Sequence, residues 1–220
     1  MAEGWLVVSP DLLLLGGVLL GCMVQNLVVA LALVVVGRDV VANGFLALTL
    51  LVLAGMMSVF VLGWTGRAEV APWLAFLPLN LPLALGPVLF GYLSCLVLGV
   101  APDWRHFVPA GLQLAYLCVM HLLPDTVQAS WKSGAHDEVV KPLIEVATVV
   151  SLVAYTFLGL QLLRRYRTWL AEQRSDADRY VALWIGRVMI ALAVTSGALV
   201  LVRAYTSFVG ELDAAPLYLW

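Results

Sequence analysis

Apolar residues in this chain neither alternate with polar ones nor mark a single stripe of an amphipathic helix. They run on for about 20 residues at a time, the length that crosses a bilayer core. Such windows cover 12–36, 45–65, 76–100, 107–123, 143–163 and 181–203. A further run opens at Ala214 and reaches Trp220, far too short to cross ~30 Å of hydrocarbon at 1.5 Å per residue. The pattern predicts an all-α, polytopic transmembrane bundle with six complete spans and the start of a seventh, built as a single domain over residues 1–220. Either the natural protein continues beyond Trp220 or that end lies in the interface.

Composition agrees with this reading. Of 220 residues, 63% are hydrophobic and only 12% charged, whereas a soluble domain carries roughly a quarter charged. A water-soluble enzyme is excluded, and the spans leave little chain for a water-exposed domain. The formal net charge of -2 argues against direct nucleic-acid contact, which needs a concentrated basic face. Cys22, Cys95 and Cys118 all fall inside apolar runs, without zinc or disulfide spacing, and read as packing residues. Met1-Ala2-Glu3-Gly4-Trp5 has no basic leader before the first apolar run, so that run is expected to stay as a span.

Cations set the orientation, because Lys and Arg accumulate in short cytoplasmic loops. The loops after spans one, three and five hold Arg38, Arg105, Arg164, Arg165, Arg167, Arg174 and Arg179; the opposite side holds Arg67, Lys132, Lys141 and Arg203, with Arg187 inside span six. Seven against four puts the N-terminus outside. The expected location is a bacterial inner membrane, with 164–180 in the cytoplasm, where its arginines anchor topology and can lie on anionic lipid. Trp64, Trp73 and Trp131 then fall at outer ends and Trp104, Trp169 and Trp184 at inner ends, where indole rings favour the headgroup layer.

Span three is the irregular one. Pro78, Pro82 and Pro87 stand within ten residues, and each removes a backbone donor. They either hinge the helix in its outer half, whose freed carbonyls must then face protein or a water-filled cavity, or mark a late helix start near Pro82. Pro87, Gly91 and Cys95 recur every four residues as a seam for close packing. In span one, Gly17, Gly21 and Gln25 share that spacing, beside Asn26. This face suits packing inside the bundle or, as a homodimer, against a second copy.

Ionisable groups within a bilayer are costly and tend to face a cavity or a partner. His121, Glu145 and Arg203 share the outer depth with Asn80 and the proline-rich half of span three. Together they form a candidate pocket for a small polar or zwitterionic ligand, with Arg203 engaging an anionic group and Glu145 a cationic one. The alternative is that these groups sit solvated among headgroups. Arg187 lies about 24 Å along span six from Arg203 and on another face, so it cannot join them; it snorkels or meets Gln25 and Asn26. His121, Asp125, His136 and Asp137 have no diagnostic metal-ligand spacing, and no metal or cofactor is expected. Nucleophile elbows, zinc-helix motifs, phosphate-binding loops and paired intramembrane carboxylates are all missing from the sequence, as is a mid-span lysine for a retinal Schiff base. The chain is not expected to be an enzyme.

The phrase Leu85-Gly86-Pro87-Val88-Leu89-Phe90-Gly91-Tyr92-Leu93, followed by Arg105-His106-Phe107-Val108-Pro109-Ala110, a polar outer loop and a span ending in Arg164-Arg165-Tyr166, resembles the N-terminal membrane domain of bacterial AraC-type transcription regulators. Similar domains precede LytTR-type regulators and histidine kinases. The resemblance implies a seven-helix sensor that passes an outside or membrane-borne signal to a cytoplasmic DNA-binding or kinase module. The chain departs from the pattern at its end, where the seventh helix is cut short and no output module follows. The expected function is therefore a membrane receptor domain whose hinge in span three has two arrangements. A small-solute transporter is the runner-up, and a membrane enzyme using His121 and Glu145 as acid and base comes third.

Overall fold

The computed structural model describes residues 10–36, 39–62, 72–173, 186–191, 193–195, 197–198 and 201. These residues form helices and the turns between them, with no strand among them. Arg203, Trp64, Arg67, Trp184, the segment 174–180 and the run Ala214–Trp220 lie outside the described residues.

Two long apolar helices open the chain: α1 over Pro10–Val36 and α2 over Val40–Leu62. A 3-10 turn, Pro72–Phe76, precedes α3 over Pro82–Leu98. A second 3-10 turn, Trp104–Phe107, leads into α4 over Val108–His121. After α5, Asp125–Trp131, a wide π-type turn over Lys132–Val140 breaks at Gly134 and runs into α6 over Lys141–Gln173. The connection expected as a polar loop is thus largely helical. Helical residues 186–191 and 193–195 follow.

Helix α3 forms the centre. Leu83 to Leu89 and Gly91 to Ser94 are all buried, as an apolar-all-round helix must be when neighbours cover every face. Helix α2 covers one side and α6 another, while α1 packs along α2. Glycines set the approach: a Cβ on Gly86 would come within 2.8 Å of the Tyr155 ring and 3.0 Å of Ser151 Oγ on α6, and one on Gly91 within 2.7 Å of the Phe45 ring on α2. Thr156 on α6 donates to the carbonyl of Met189 at 3.2 Å, tying in the helical residues that follow 185. Helix α3 ends on Gly99, left-handed at φ 69°, whose N–H donates to the Cys95 carbonyl at 3.0 Å. Glycine reaches that conformation without a Cβ penalty.

By length and composition, three helices among the described residues suffice to cross a membrane: Gly16–Val35 in α1, Val40–Val59 in α2, and the run Asp125–Tyr166 that includes most of α6. The apolar window 76–100, expected as an irregular third span, is divided. Pro78 stands in the turn before α3, Pro82 is its first residue, and only Pro87 lies inside it. Of the two readings of these prolines, a late helix start is what the backbone adopts at Pro82. The 17 residues of α3 and 14 of α4 give lengths of about 26 and 21 Å, short of a full ~30 Å core.

The small-residue face of α1 meets no other element among the described residues. A Cβ on Gly17 or Gly21 would meet nothing within 4 Å among the described residues, and Gln25 in the same row is exposed. The neighbouring Asn26 turns to α2 instead, its Nδ2 donating to Met57 Sδ at 3.7 Å.

Candidate functional site

Starting a helix at Pro82 leaves backbone groups inside the bundle that cannot bond within the helix. Gln113, on α4 and 6% exposed, meets two of them. Its Oε1 accepts from the Leu83 N–H at 3.3 Å, and its Nε2 donates to the Asn80 carbonyl at 3.2 Å. The segment from Pro72 to Leu81 is thereby fastened to α4. On α2, the absence of a side chain at Gly55 lets the Leu79 backbone carbonyl lie against the helix.

The same segment closes over a cluster of rings and amides. Phe76, fully buried, stands edge-on to the His136 imidazole at 4.8 Å between centroids and edge-on to Tyr116 at 6.5 Å. His136 is 7% exposed, and its Nδ1 lies 2.8 Å from the Tyr116 hydroxyl, which also accepts from Trp131 Nε1 at 3.0 Å. An indole can only donate. Trp131 N–H therefore donates to the Tyr116 oxygen, while the Tyr116–His136 contact runs in either direction with the imidazole tautomer.

Beside this chain, Gln128 is 2% exposed. Its Nε2 donates to the carbonyls of Leu123 at 2.7 Å and His121 at 3.2 Å, closing the end of α4. Because both partners are acceptors, the amide orientation is fixed. Its Oε1 is left buried without a hydrogen-bond partner among the described residues, and so is His121 Nδ1. Trp73 places its ring edge-on to His121 at 6.2 Å and is itself exposed. Unmatched buried polar atoms are uncommon, and each costs about 1–3 kcal/mol.

Of the residues expected to line a pocket, His121 lies in this corner. Asn80 joins α4 at Gln113, two turns or about 12 Å before His121. Glu145 occupies the second turn of α6 and is half-buried, and Arg203 is outside the described residues. Sequence reasoning missed Gln113, Gln128 and Tyr116. Each is a single polar group in or beside an apolar run, and the only available signal was its isolation there. Among the described residues no group of three or more His, Cys, Asp or Glu is placed to hold a metal ion. Cys22, Cys95 and Cys118 are free thiols.

A second polar contact lies at the far end of α4. Tyr155 on α6 donates to the His106 carbonyl at 3.2 Å, and its oxygen lies 3.1 Å from His106 Nδ1, with Phe90 5.7 Å from both rings. The two residues thus close a reciprocal pair in which Nδ1–H donates back. This pair joins α6 to the turn before α4 and is built from His106 of the Arg105–Ala110 motif. Comparison with protein-family models, with curated proteins and with solved structures finds no match, so the likeness to AraC-type membrane domains rests on the residues that carry it.

Proposed function

We propose that the chain is a polytopic receptor domain of a bacterial inner membrane, with six spans and its N-terminus outside. In this reading a small polar ligand binds at the corner formed by His121, Gln128 and Trp73, with Asn80, Glu145 and Arg203 as candidate outer contributors. The observation that carries it is the state of the segment 72–81. It is a clasp fastened by a few discrete contacts rather than a stretch of spanning helix, and it closes beside two buried polar atoms with no partner among the described residues. Gln128 Oε1 can only accept, so the ligand must offer an N–H or O–H; His121 Nδ1 takes either role. A ligand that fits one position of the clasp better than another shifts the population between them. Helix α6 runs unbroken from Lys141 to Gln173, about 50 Å, and would carry the change across the bilayer to a cytoplasmic DNA-binding or kinase module. The open row of Gly17, Gly21 and Gln25 would face a second copy.

The test is a thermal-shift screen of the purified protein against small polar and zwitterionic compounds. We expect at least one stabilising compound whose shift disappears in both His121→Ala and Gln128→Ala. Stabilisers indifferent to both, or none at all, would remove the site. A transporter is the second reading, favoured by the shortened α3 that starts inside the bundle under a Gln113 cap, as discontinuous helices do in carriers. Flux of the same compound into proteoliposomes would decide for it.

A further inference from the structure

We propose that the clasp, residues 72–81, is a gate that opens and closes in the ligand-free protein, poised between its own fastenings and the unmatched polar atoms it covers. The inference rests on the receptor reading only for what passes the gate. The poise itself rests on packing and hydrogen bonding.

The segment is built to move as a unit. Its internal bonds, Leu77 N–H to the Leu74 carbonyl at 3.4 Å and Asn80 N–H to the Leu77 carbonyl at 3.3 Å, travel with it. Its far end stays with α3, because the Leu81 carbonyl accepts from Ala84 N–H at 3.0 Å. Among the described residues, the hydrogen bond that ties it to α4 is the one from Gln113 Nε2 to the Asn80 carbonyl. Apolar packing shows the same separation. Phe76 forms a small buried cluster with Leu117 and Met120 of α4, apart from the larger clusters around α3, and Leu81 packs against both this cluster and one of the larger. Leu81 is thus the pivot and Phe76 the plug. Gly55 on α2 is the seat: the Leu79 carbonyl lies where a Cβ would stand, so the closed position requires glycine there.

Opposing these fastenings is a polar cost. The turn Pro72–Phe76 packs on α4 and α5, the helices that supply His121 and Gln128, and Trp73 reaches the His121 ring. With the clasp down, Gln128 Oε1 and His121 Nδ1 are buried without a partner among the described residues. Tautomer does not alter this, since Nδ1 needs a partner whether it donates or accepts. Water that reaches either atom when the clasp lifts removes a penalty worth roughly 5- to 150-fold in the ratio of open to closed. A ligand that supplies the missing partners with the clasp down removes the same penalty and holds the gate shut over itself.

Hydrogen exchange of the full chain in lipid nanodiscs, without ligand, tests the gate. The amides of Leu77, Asn80 and Leu83 report the clasp, and those of Val88 to Leu93 report the core of α3. In the natural protein the clasp set should exchange much faster than the core set. His121→Phe keeps a ring and deletes the unmatched nitrogen, so clasp exchange should slow by about fivefold or more. Gly55→Ala fills the seat and should speed clasp exchange by roughly fivefold or more, with the core set unchanged. Should Gly55→Ala fail to fold, Phe76→Leu, which shortens the plug without touching α2, should give the same acceleration. A clasp that exchanges only together with the core overturns the proposal. Unchanged or faster exchange in His121→Phe also overturns it, as it would if an internal water already satisfied the buried atoms, and so does an unmoved rate in the seat or plug variant. The ligand screen decides separately: a moving gate with no stabilising compound removes the receptor reading alone, and an immobile clasp with such a compound removes the gate alone.

Discussion

Single polar residues carry a disproportionate share of this fold because the surroundings offer no water to replace them. Gln113 shows the effect most directly. Its side-chain amide supplies one acceptor and one donor to two backbone groups, Leu83 N–H and Asn80 C=O, that the proline-enforced helix start leaves without helical partners. Leucine at this position would fill nearly the same volume and satisfy neither group. Gln113→Leu should therefore destabilise the protein by about 2 kcal/mol, since each buried group stripped of its partner costs about 1–3 kcal/mol, offset in part by leaving the side-chain amide in solvent. Reversible unfolding in mixed micelles reads that loss directly. An unchanged midpoint would mean that the cap contributes nothing to holding the clasp. Buried Gln128, bonded to the carbonyls of His121, the last residue of α4, and of Leu123 just beyond it, belongs to the same class. Neither glutamine is conspicuous in the sequence. In an apolar run a lone amide gives no indication of which distant backbone atom it meets, and Asn80 lies 33 residues from Gln113. The ionisable residues attracted attention instead because their desolvation cost is larger, and of these only His121 and His136 fall within the described corner.

At the scale of elements, glycine decides how closely the helices pack. Gly86 sits where α3 crosses α6, and an added Cβ would come within 2.8 Å of the Tyr155 ring and 3.4 Å of the Ser151 carbonyl. The ring can give way only by disturbing its bonds to His106, and the backbone carbonyl cannot move without α6. Gly86→Val should thus destabilise by about 1–3 kcal/mol, the usual cost of overpacking, and should also weaken the His106–Tyr155 joint. Gly111→Ala on α4, where a Cβ would meet nothing within 4 Å among the described residues, should fold normally and serves as the control. The helical class and the membrane-length helices α1 and α2 were legible from apolar length alone, and so was the membrane-length part of α6. The division of the third window was not, because prolines at 78 and 82 are equally compatible with a kink and with a late start until something is seen to cap the new N-terminus. Helix faces were also illegible. Where lipid and core are both apolar, the side of a helix turned to its neighbours carries nearly the same residues as the side turned outward. The interhelical seams of α3 accordingly show in the sequence only as small residues, Gly86 and Gly91.

For the whole molecule, the uneven use of α1 raises the question of assembly. This helix packs along α2, and its remaining surface is a broad apolar face with Val28, Leu31, Val34 and Val35 all well exposed. Lipid can cover those side chains at no cost. It cannot satisfy Gln25, which lies near the middle of the span, exposed and in one row with Gly17 and Gly21. Across a two-fold axis the row is self-complementary: the glycines allow close backbone approach and each Gln25 amide can donate to and accept from its counterpart. Such an interhelical amide contact is worth about 0.6–2 kcal/mol in a bilayer. Gly21→Ile should therefore lower the dimer fraction, measured by single-molecule photobleaching in liposomes over a range of dilutions. It should leave the thermal midpoint of the dissociated protein unchanged, because no described atom of the same chain stands within 4 Å of a Cβ there. Gln25→Leu should act in the same direction, by a smaller factor if the glycines supply most of the contact. Equal dimer fractions in all three proteins would assign this face to lipid. A drop in the monomer's own stability with Gly21→Ile would instead show that the row packs against a part of the chain outside the described residues.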